Sequence, residues 1–180
     1  RRIAIIGGGP RGLWAVEELI GRAGIPVDIT VFDPYPAGAG AVYRPQQPPQ
    51  WRLNVNCAII TTAHDNFNAW RARRGGDTTD AFPPRAEVGQ FLADTWSAAL
   101  QRAPAHVGIR HLPHRVSEVS NDGEGFMVDG TPFDDDLVDA VAVGVGDQAA
   151  LLGLGDPSGE GGDDSRPRAP RDVESRHGVA

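Results

Sequence analysis

Hydrophobic and polar positions along the first third of the chain predict a strand, a helix and a second strand. Ile3 to Ile6 is a nearly continuous apolar run that stops at three glycines, which is typical of a strand buried on both faces of a parallel sheet. Pro10 suits the first turn of a helix. The apolar side chains that follow at helical spacing are Leu13, Trp14, Val16, Leu19 and Ile20. Val27 to Phe32 is rich in β-branched residues, so the segment predicts a βαβ unit.

Two further helices are predicted after a long loop. The loop, Pro34 to Pro49, is rich in Pro, Gly and Gln, and its length favours a functional role over a passive turn. Helical patterns then run from Asn66 to Arg74 and from Glu87 to Arg102. The second helix has six expected inward positions, which are Val88, Phe91, Leu92, Thr95, Trp96 and Leu100.

Short strand-like segments follow the last helix. They are Val107 to Leu112, Arg115 to Val119, Phe126 to Val128 and Thr131 to Phe133. Their shortness and the turn residues between them predict a small antiparallel β-meander. Leu137 to Val145 is rich in Val and Ala and is expected to return to the parallel sheet. The predicted fold class is therefore α/β, a Rossmann-like parallel sheet with helices and a small antiparallel β-meander.

Composition divides the chain into one folded domain and a tail. With 180 residues, of which 40% are hydrophobic, the chain can bury one ordinary core. From Gly155 onward Gly, Asp, Ser, Arg and Pro dominate and no aromatic residue occurs, so too little apolar surface is available to offset the entropy of ordering. We predict a Rossmann-like domain over residues 1–150 and a disordered tail over residues 151–180.

Charge and residue usage exclude several classes of partner. The net charge of -7 disfavours a nucleic-acid partner. No apolar run approaches the ~20 residues that span a bilayer, and the chain opens on a strand pattern instead of a signal peptide, so we expect a cytoplasmic protein with no membrane partner. Cys57, the one cysteine, is expected to be a small buried residue. The five histidines lack ligand spacing, so no metal is expected.

The glycine-rich segment between the first strand and the first helix carries the most specific chemical signal. It is a G-x-G-x-x-G with its glycines at Gly7, Gly9 and Gly12. In this motif the first glycine forms a tight turn, the second lets a pyrophosphate approach the backbone, and the third lets helix and strand pack closely. The helix N-terminus favours an anion through its unpaired N–H groups and its dipole. A dinucleotide site is predicted, and the alternative is a glycine-rich turn without a ligand.

Asp33 is the candidate for binding a ribose. It ends the second predicted strand about twenty residues after Gly12, where a dinucleotide-binding domain places the acidic residue that accepts hydrogen bonds from ribose hydroxyls. A carboxylate at this position also disfavours a 2′-phosphate. The alternative is an aspartate that initiates the turn before Pro34.

Four ordered motifs resemble one family over roughly residues 2 to 147. They are Ile3 to Gly12, Gly38 to Pro45, Leu53 to Val55, and Phe82 to Arg85 leading into Gly89 to Leu92. The chain is similar to the FAD/NAD(P)-binding flavoproteins, neighbours of the N-hydroxylating and flavin-containing monooxygenases, some of which are urate-hydroxylase-like. The family's Ala-Thr-Gly turn is replaced by Ala142-Val143-Gly144 here, so a polar contact from that position is in doubt.

The resemblance implies a set of cofactor contacts. Gly38, Gly40 and Arg44 would lie along the FAD, and Asn54 would face the flavin, with Arg85 a weaker candidate. Glycine allows close approach, arginine matches a pyrophosphate, and an asparagine amide can meet the polar edge of a flavin. Each type also has an ordinary structural role, and Arg85 after two prolines is a candidate for pairing with an acid.

The resemblance also implies an activity. We expect the FAD-binding domain of an NAD(P)H-linked, monooxygenase-like flavoprotein oxidoreductase acting on a small molecule. The family implies a longer chain with a second nucleotide-binding half, so we expect this chain to be incomplete, with a missing or partner second domain. The alternatives are a non-catalytic dinucleotide-binding module and an NAD-binding dehydrogenase domain, and no catalytic residue is assigned.

Overall fold

The computed structural model describes residues 1–121, 126–129, 131–132, 138–145 and 148–152. The elements in chain order are β1 (Arg2–Ile6), α1 (Pro10–Arg22), β2 (Val27–Phe32), a 3-10 turn (Cys57–Ile59), α2 (Phe67–Arg73), α3 (Arg85–Arg102), β3 (Val107–Leu112), β4 (Val119–Asn121), β5 (Phe126–Val128), β6 (Thr131–Pro132), β7 (Val138–Val145) and β8 (Gln148–Leu152). The predicted tail, residues 151–180, lies outside the described residues except for the end of β8.

The central sheet has five strands in the order β3-β2-β1-β7-β8. The first four strands are parallel, and β8 runs antiparallel to β7. Ile3 is in register with Ile29 of β2, and Ile29 is in register with Ile109 of β3. The strand order with helical crossovers confirms the predicted Rossmann-like α/β fold, and the pairing of β7 with β1 confirms that the chain returns to the parallel sheet.

The position predicted for Val107 to Leu112 is wrong. These residues form the edge strand β3 of the parallel sheet, because helix α3 is long enough to serve as a crossover back to β2. The predicted meander exists but consists of the antiparallel set β4-β5-β6. The strand expected from Arg115 begins only at Val119, because the N–H groups of Ser117 and Glu118 donate to a carboxylate instead of a neighbouring strand.

The helices and the meander cover opposite faces of the sheet. On one face α1 and α3 pack over Ile5, Ile29 and Val31, all of which are buried. On the other face the meander residue Val128 packs with Ala4 and Phe32 near the carboxyl ends of the strands. The meander therefore forms a wall at the edge of the sheet where ligands bind in open α/β folds.

An aromatic cluster fixes the two later helices on each other. The rings of Phe67, Trp70 and Phe91 lie 5.7 to 5.8 Å apart between centroids. Helix α2 starts at Phe67, one residue later than predicted, because the side chain of Asn66 caps it by accepting from the Ala69 N–H at 2.8 Å. No helix in the described part of the chain is long and apolar enough to cross a membrane.

Two positions of the predicted apolar faces are not buried. Trp14 of α1 is 45% exposed and Leu100 of α3 is 41% exposed. In α3 the other five expected inward residues are buried, and Ala99 takes the place predicted for Leu100.

We expect Phe91→Ala to lower the free energy of unfolding by about 3–5 kcal/mol, because the ring is fully buried among aromatic neighbours. Leu100→Ala in the same helix is the matched control, and its exposed side chain predicts a loss below about 1 kcal/mol. Urea denaturation followed by circular dichroism measures both. Equal losses for the two variants would contradict the observed orientation of α3.

Candidate functional site

The glycine motif connects β1 to α1 as predicted. Gly7 has a φ of 106°, in the region that favours glycine, and its N–H donates to the Phe32 carbonyl at 2.8 Å. A Cβ on Gly12 would lie 2.1 Å from the Gly7 carbonyl oxygen, so only glycine allows this packing of helix against turn. The N-cap residue of α1 is Gly9, so no side chain caps this helix, and its first turn holds no acid. These features leave the start of α1 suited to an anion.

The loop after β2 packs directly on the glycine motif. The Gly38 N–H donates to the Gly8 carbonyl at 2.6 Å, and a Cβ on Gly40 would lie 2.7 Å from the Gly9 Cα. A Cβ on Gly9, in contrast, would meet only the Gly40 Cα at 3.9 Å, an ordinary contact. The protein itself therefore requires glycine at position 40, while the space beside Gly9 is open on the ligand side.

The same loop is held from behind by α3. Gly38 has a φ of 85°, and a Cβ there would lie 2.4 Å from the Leu92 carbonyl oxygen. A Cβ on Gly89 would lie 1.7 Å from the carbonyl oxygen of Tyr43. Close backbone contact thus explains Gly89, which opens the second half of the motif that starts at Phe82. The structure brings Gly38 and Gly40 to Gly7 and Gly9 and clamps them between the motif and α3.

Asp33 is buried at the end of β2, directly beside the glycine motif. Its Oδ2 accepts from the Gly8 N–H at 2.7 Å, and its Oδ1 accepts from the Tyr35 N–H at 2.8 Å. Its own N–H donates to the Leu112 carbonyl of β3 at 3.1 Å. The bond to Tyr35 is the turn-initiating role that was the alternative for this residue. Each carboxylate oxygen keeps a second lone pair, so the turn role leaves acceptor capacity for a hydroxyl.

A cleft of about 260 Å³ opens at this point, at the carboxyl ends of β1 and β2. Its floor includes Gly7 and Asp33, and its far wall is formed by the connection from β3 to the meander, at His114, Arg115 and Val116. Clefts outside the carboxyl ends of parallel strands are the general ligand site of open α/β sheets. The predicted ribose-binding acid therefore lies in the expected place.

Asp129 holds the far wall of the cleft, although no pattern in the sequence singled it out. Its Oδ1 accepts from the N–H groups of Ser117 and Glu118 at 2.8 and 2.9 Å and from the Ser117 hydroxyl, and His114 Nε2 lies 2.6 Å from its Oδ2. Hydrogen bonds from Ser117 and then His114 hold the pKa of Asp129 far below its ordinary value. The residue has a φ of 51°, and the Asp-Gly pair at positions 129 and 130 was the available turn signal.

The polar side chains implied by the family resemblance lie further along the loop. The Arg44 guanidinium lies over the Tyr35 ring, 5.2 Å from its centroid, and its Nε is buried without a hydrogen-bond partner among the described residues. Asn54 is exposed, and no contact in the described part of the chain joins its side chain to the glycine motif. Among the described residues Arg85 has no acidic partner, and its Nε donates to the Arg52 carbonyl at 3.1 Å.

Cys57 is buried as predicted. Its Sγ lies 3.2 Å from Asn68 Oδ1 and 3.5 Å from the Asp80 carbonyl, away from the cleft. Within the described ranges no group of three or more His, Cys, Asp or Glu side chains is arranged to hold a metal ion.

We expect Gly12→Ala to lower the free energy of unfolding by about 1–3 kcal/mol or more, because its Cβ would overlap the Gly7 carbonyl. Gly21→Ala is the matched control in the same helix. Nothing lies within 4 Å of that position, so alanine should stabilise by about 0.5–1 kcal/mol through helix propensity. Thermal denaturation of both variants provides the measurement, and a neutral Gly12→Ala would contradict the close contact.

Asp129→Asn is expected to destabilise the fold at neutral pH, because hydrogen bonds to a charged acceptor are stronger than those to an amide. Asparagine has the size of aspartate and also tolerates the left-handed backbone conformation at this position, so the charge is the main change. A carboxyl whose folded pKa is lowered contributes stability above its unfolded value of 3.8, and this contribution is lost as pH falls through the folded value. The difference between wild type and variant should therefore shrink as the pH falls below about pH 4. Denaturation curves between pH 7 and pH 3 test this, and a pH-independent difference argues against the ionised carboxylate.

Comparison with known proteins agrees with this geometry. The nitrosuccinic acid synthase of Aspergillus oryzae is 29% identical over 136 residues, which cover 64% of this chain and 21% of that protein. The L-aspartate N-monooxygenases (nitrosuccinate-forming) of Streptomyces cremeus and Streptomyces davaonensis are each 28% identical, over 66% and 68% of this chain. The chain spans only 21 to 24% of the length of these relatives.

A solved structure shares the fold. The open crystal structure of cyclohexanone monooxygenase superposes with a TM-score of 0.54 and 17% identity, over 81% of this chain and 26% of that chain. A family model described as FAD-NAD(P)-binding matches residues 4–148. Because that match covers most of the chain, the protein belongs to the FAD-NAD(P)-binding family, and the predicted FAD cofactor is confirmed.

Proposed function

We propose that this chain holds the FAD of an NAD(P)H-dependent monooxygenase, and that the whole protein oxygenates the amino nitrogen of a small amino acid. One observation supports FAD binding: the glycine motif and the loop of Gly38 and Gly40 pack together beside Asp33. The names of the relatives, two of which act on L-aspartate, support the substrate class.

The residues fit a dinucleotide in a definite order. The pyrophosphate would lie at the N-terminus of α1, where the open space beside Gly9 lets it approach the backbone. The adenosine ribose would donate hydroxyl hydrogens to Asp33 in the cleft. With the adenosine end in the cleft, the flavin end of the dinucleotide would point away from the cleft, along the loop that leads to Arg44 and Asn54.

When bound, FAD supplies the hydride-accepting and oxygen-activating group of the reaction. The described residues bind and orient it, and a carboxylate at position 33 disfavours a ligand with a 2′-phosphate at this subsite. We assign residues 1–150 to this binding domain. Because the relatives are about four times longer than the matched segment, we assign NAD(P)H and substrate binding to a second domain beyond it.

The dehydrogenase alternative fits the topology less well. A doubly wound NAD-binding domain continues with strand and helix crossovers after its third strand. Here β3 is followed by the antiparallel meander β4-β5-β6 before β7 enters the sheet. The non-catalytic module has no observation in its favour and is one outcome of the experiment below.

The test begins with the visible spectrum of the chain after incubation with FAD and desalting, where a band near ~450 nm is expected. Asp33→Asn should weaken FAD binding about 10- to 100-fold, because a hydrogen bond to a charged acceptor is worth roughly 1.5–3 kcal/mol. Asp28→Asn is the control, since Asp28 is exposed at the opposite end of the same strand. Circular dichroism verifies that both variants are folded.

The outcomes separate the parts of the proposal. A colourless chain contradicts the FAD site, and an unchanged affinity of Asp33→Asn contradicts the ribose contact. The whole protein, including the second domain assigned above, is then supplied with FAD, NAD(P)H, oxygen and L-aspartate, and mass spectrometry searches for an oxygenated amino acid. FAD retention without such a product contradicts the substrate proposal and favours the non-catalytic module.

A further inference from the structure

Two stretches of chain between the long loop and α3 run side by side at the surface of the domain. The Leu53 N–H donates to the Pro83 carbonyl at 3.0 Å, and the Cys57 N–H donates to the Ala81 carbonyl at 2.8 Å. The side chains of Leu53, Cys57 and Pro83 are buried, so this pair of stretches is fixed to the core. We call residues 51–60 and 81–85 together the apolar ribbon.

The ribbon also carries large hydrophobic side chains that are exposed. They are Trp51 (52% exposed), Val55 (41%), Ile59 (68%) and Phe82 (46%). Phe82 lies opposite residues 54–56, because the residues before and after it bond to Cys57 and Leu53. Single exposed hydrophobic residues are ordinary, whereas several on one short ribbon mark an interaction surface.

Charged residues are excluded from the middle of the ribbon. Residues 53–64 contain no Asp, Glu, Lys or Arg, and neither do residues 81–84, although 23% of the chain is charged. An ion pair between Arg52 and Asp80 lies beside the ribbon. An apolar centre without charge and a polar rim are typical of the surface that one folded protein domain presents to another.

The proposed function points to one occupant of this surface. The flavin end of the dinucleotide would lie along the loop that leads to Asn54, an exposed residue of the ribbon. NAD(P)H and substrate have to reach the flavin, so the domain that binds them must come close to the ribbon, and ligand sites are common at such domain boundaries. The relatives, of which this chain spans 21 to 24%, are long enough to contain that domain.

We propose that the apolar ribbon is the docking surface for the second domain, the one that binds NAD(P)H and substrate. That domain presents an uncharged, apolar face to Ile59 and Phe82. The inference rests on the proposed function and deepens it by naming the surface at which the two domains meet. Docking removes the exposed hydrophobic side chains from water and excludes water from the flavin end of the site.

Cysteine labelling tests whether the ribbon is covered. Ile59→Cys places a thiol at the most exposed of the four positions, and the buried Cys57 gives the background in wild type. Maleimide should label position 59 at least about tenfold more slowly in the whole protein than in this chain, because the docked domain must open first. Ile25→Cys is the matched control, since Ile25 is an exposed isoleucine before β2, and it should react equally fast in both.

A charge on the ribbon provides the second variant. Phe82→Asp, combined with Ile59→Cys, should restore fast labelling in the whole protein, because docking would then bury an unpaired carboxylate. Ile25→Asp combined with Ile59→Cys should leave the protection unchanged. Both aspartates replace exposed side chains, so the melting temperature of this chain should stay close to that of wild type.

The other occupants give different results. Equal labelling of position 59 in this chain and in the whole protein overturns the proposal. Protection in this chain alone that grows with protein concentration identifies a second copy as the occupant, and protection of this chain by added FAD identifies the cofactor, so either result overturns it too.

The flavin band near ~450 nm, recorded on the same samples, separates this inference from the proposed function. FAD retention without protection of position 59 contradicts the docking surface alone. Protection without FAD retention supports the docking surface and contradicts the proposed FAD site.

Discussion

Backbone contact through glycine is the constraint on which the rest of the structure depends. Helix α1 meets the turn before it at Gly12, the loop after β2 meets the glycine motif at Gly40, and α3 meets that loop at Gly38 and Gly89. At each of these positions a Cβ would overlap backbone atoms, which cannot move aside as a flexible side chain can. Three segments distant in sequence, namely the glycine motif with α1, the loop after β2 and α3, are thereby packed around one helix N-terminus, and the candidate pyrophosphate site results from their packing.

Two carboxylates then hold the segments at the edges of this site in place. Asp33 ties the glycine motif to the turn after β2, and Asp129 ties the meander to the connection that follows β3. Both accept hydrogen bonds from backbone N–H groups, which are strong when the acceptor is charged. Strand pairing does not hold these two connections, and the hydrogen bonds to Asp33 and Asp129 do.

The local order of elements was predictable because each element carries its own signal. The apolar run before Gly7, the helical spacing after Pro10 and the acid about twenty residues later form a pattern that local sterics and burial explain without tertiary information. The motif residues Gly7, Gly9, Gly12 and Asp33 were found this way, and the structure brings them together. Arg44 and Asn54 were identified only through family resemblance, and their roles at the flavin stay predictions.

The sequence by itself determined the βαβ unit, the glycine motif, the acid at the end of β2 and the affiliation with flavin-binding proteins. Only the tertiary structure decided that Val107 to Leu112 joins the parallel sheet, that Leu100 is exposed, and that Asp129 braces the cleft. The reason is physical: spacing along the chain reports which side chains share a face, whereas the partner of a strand edge, a helix end or a carboxylate is set by residues far away in sequence.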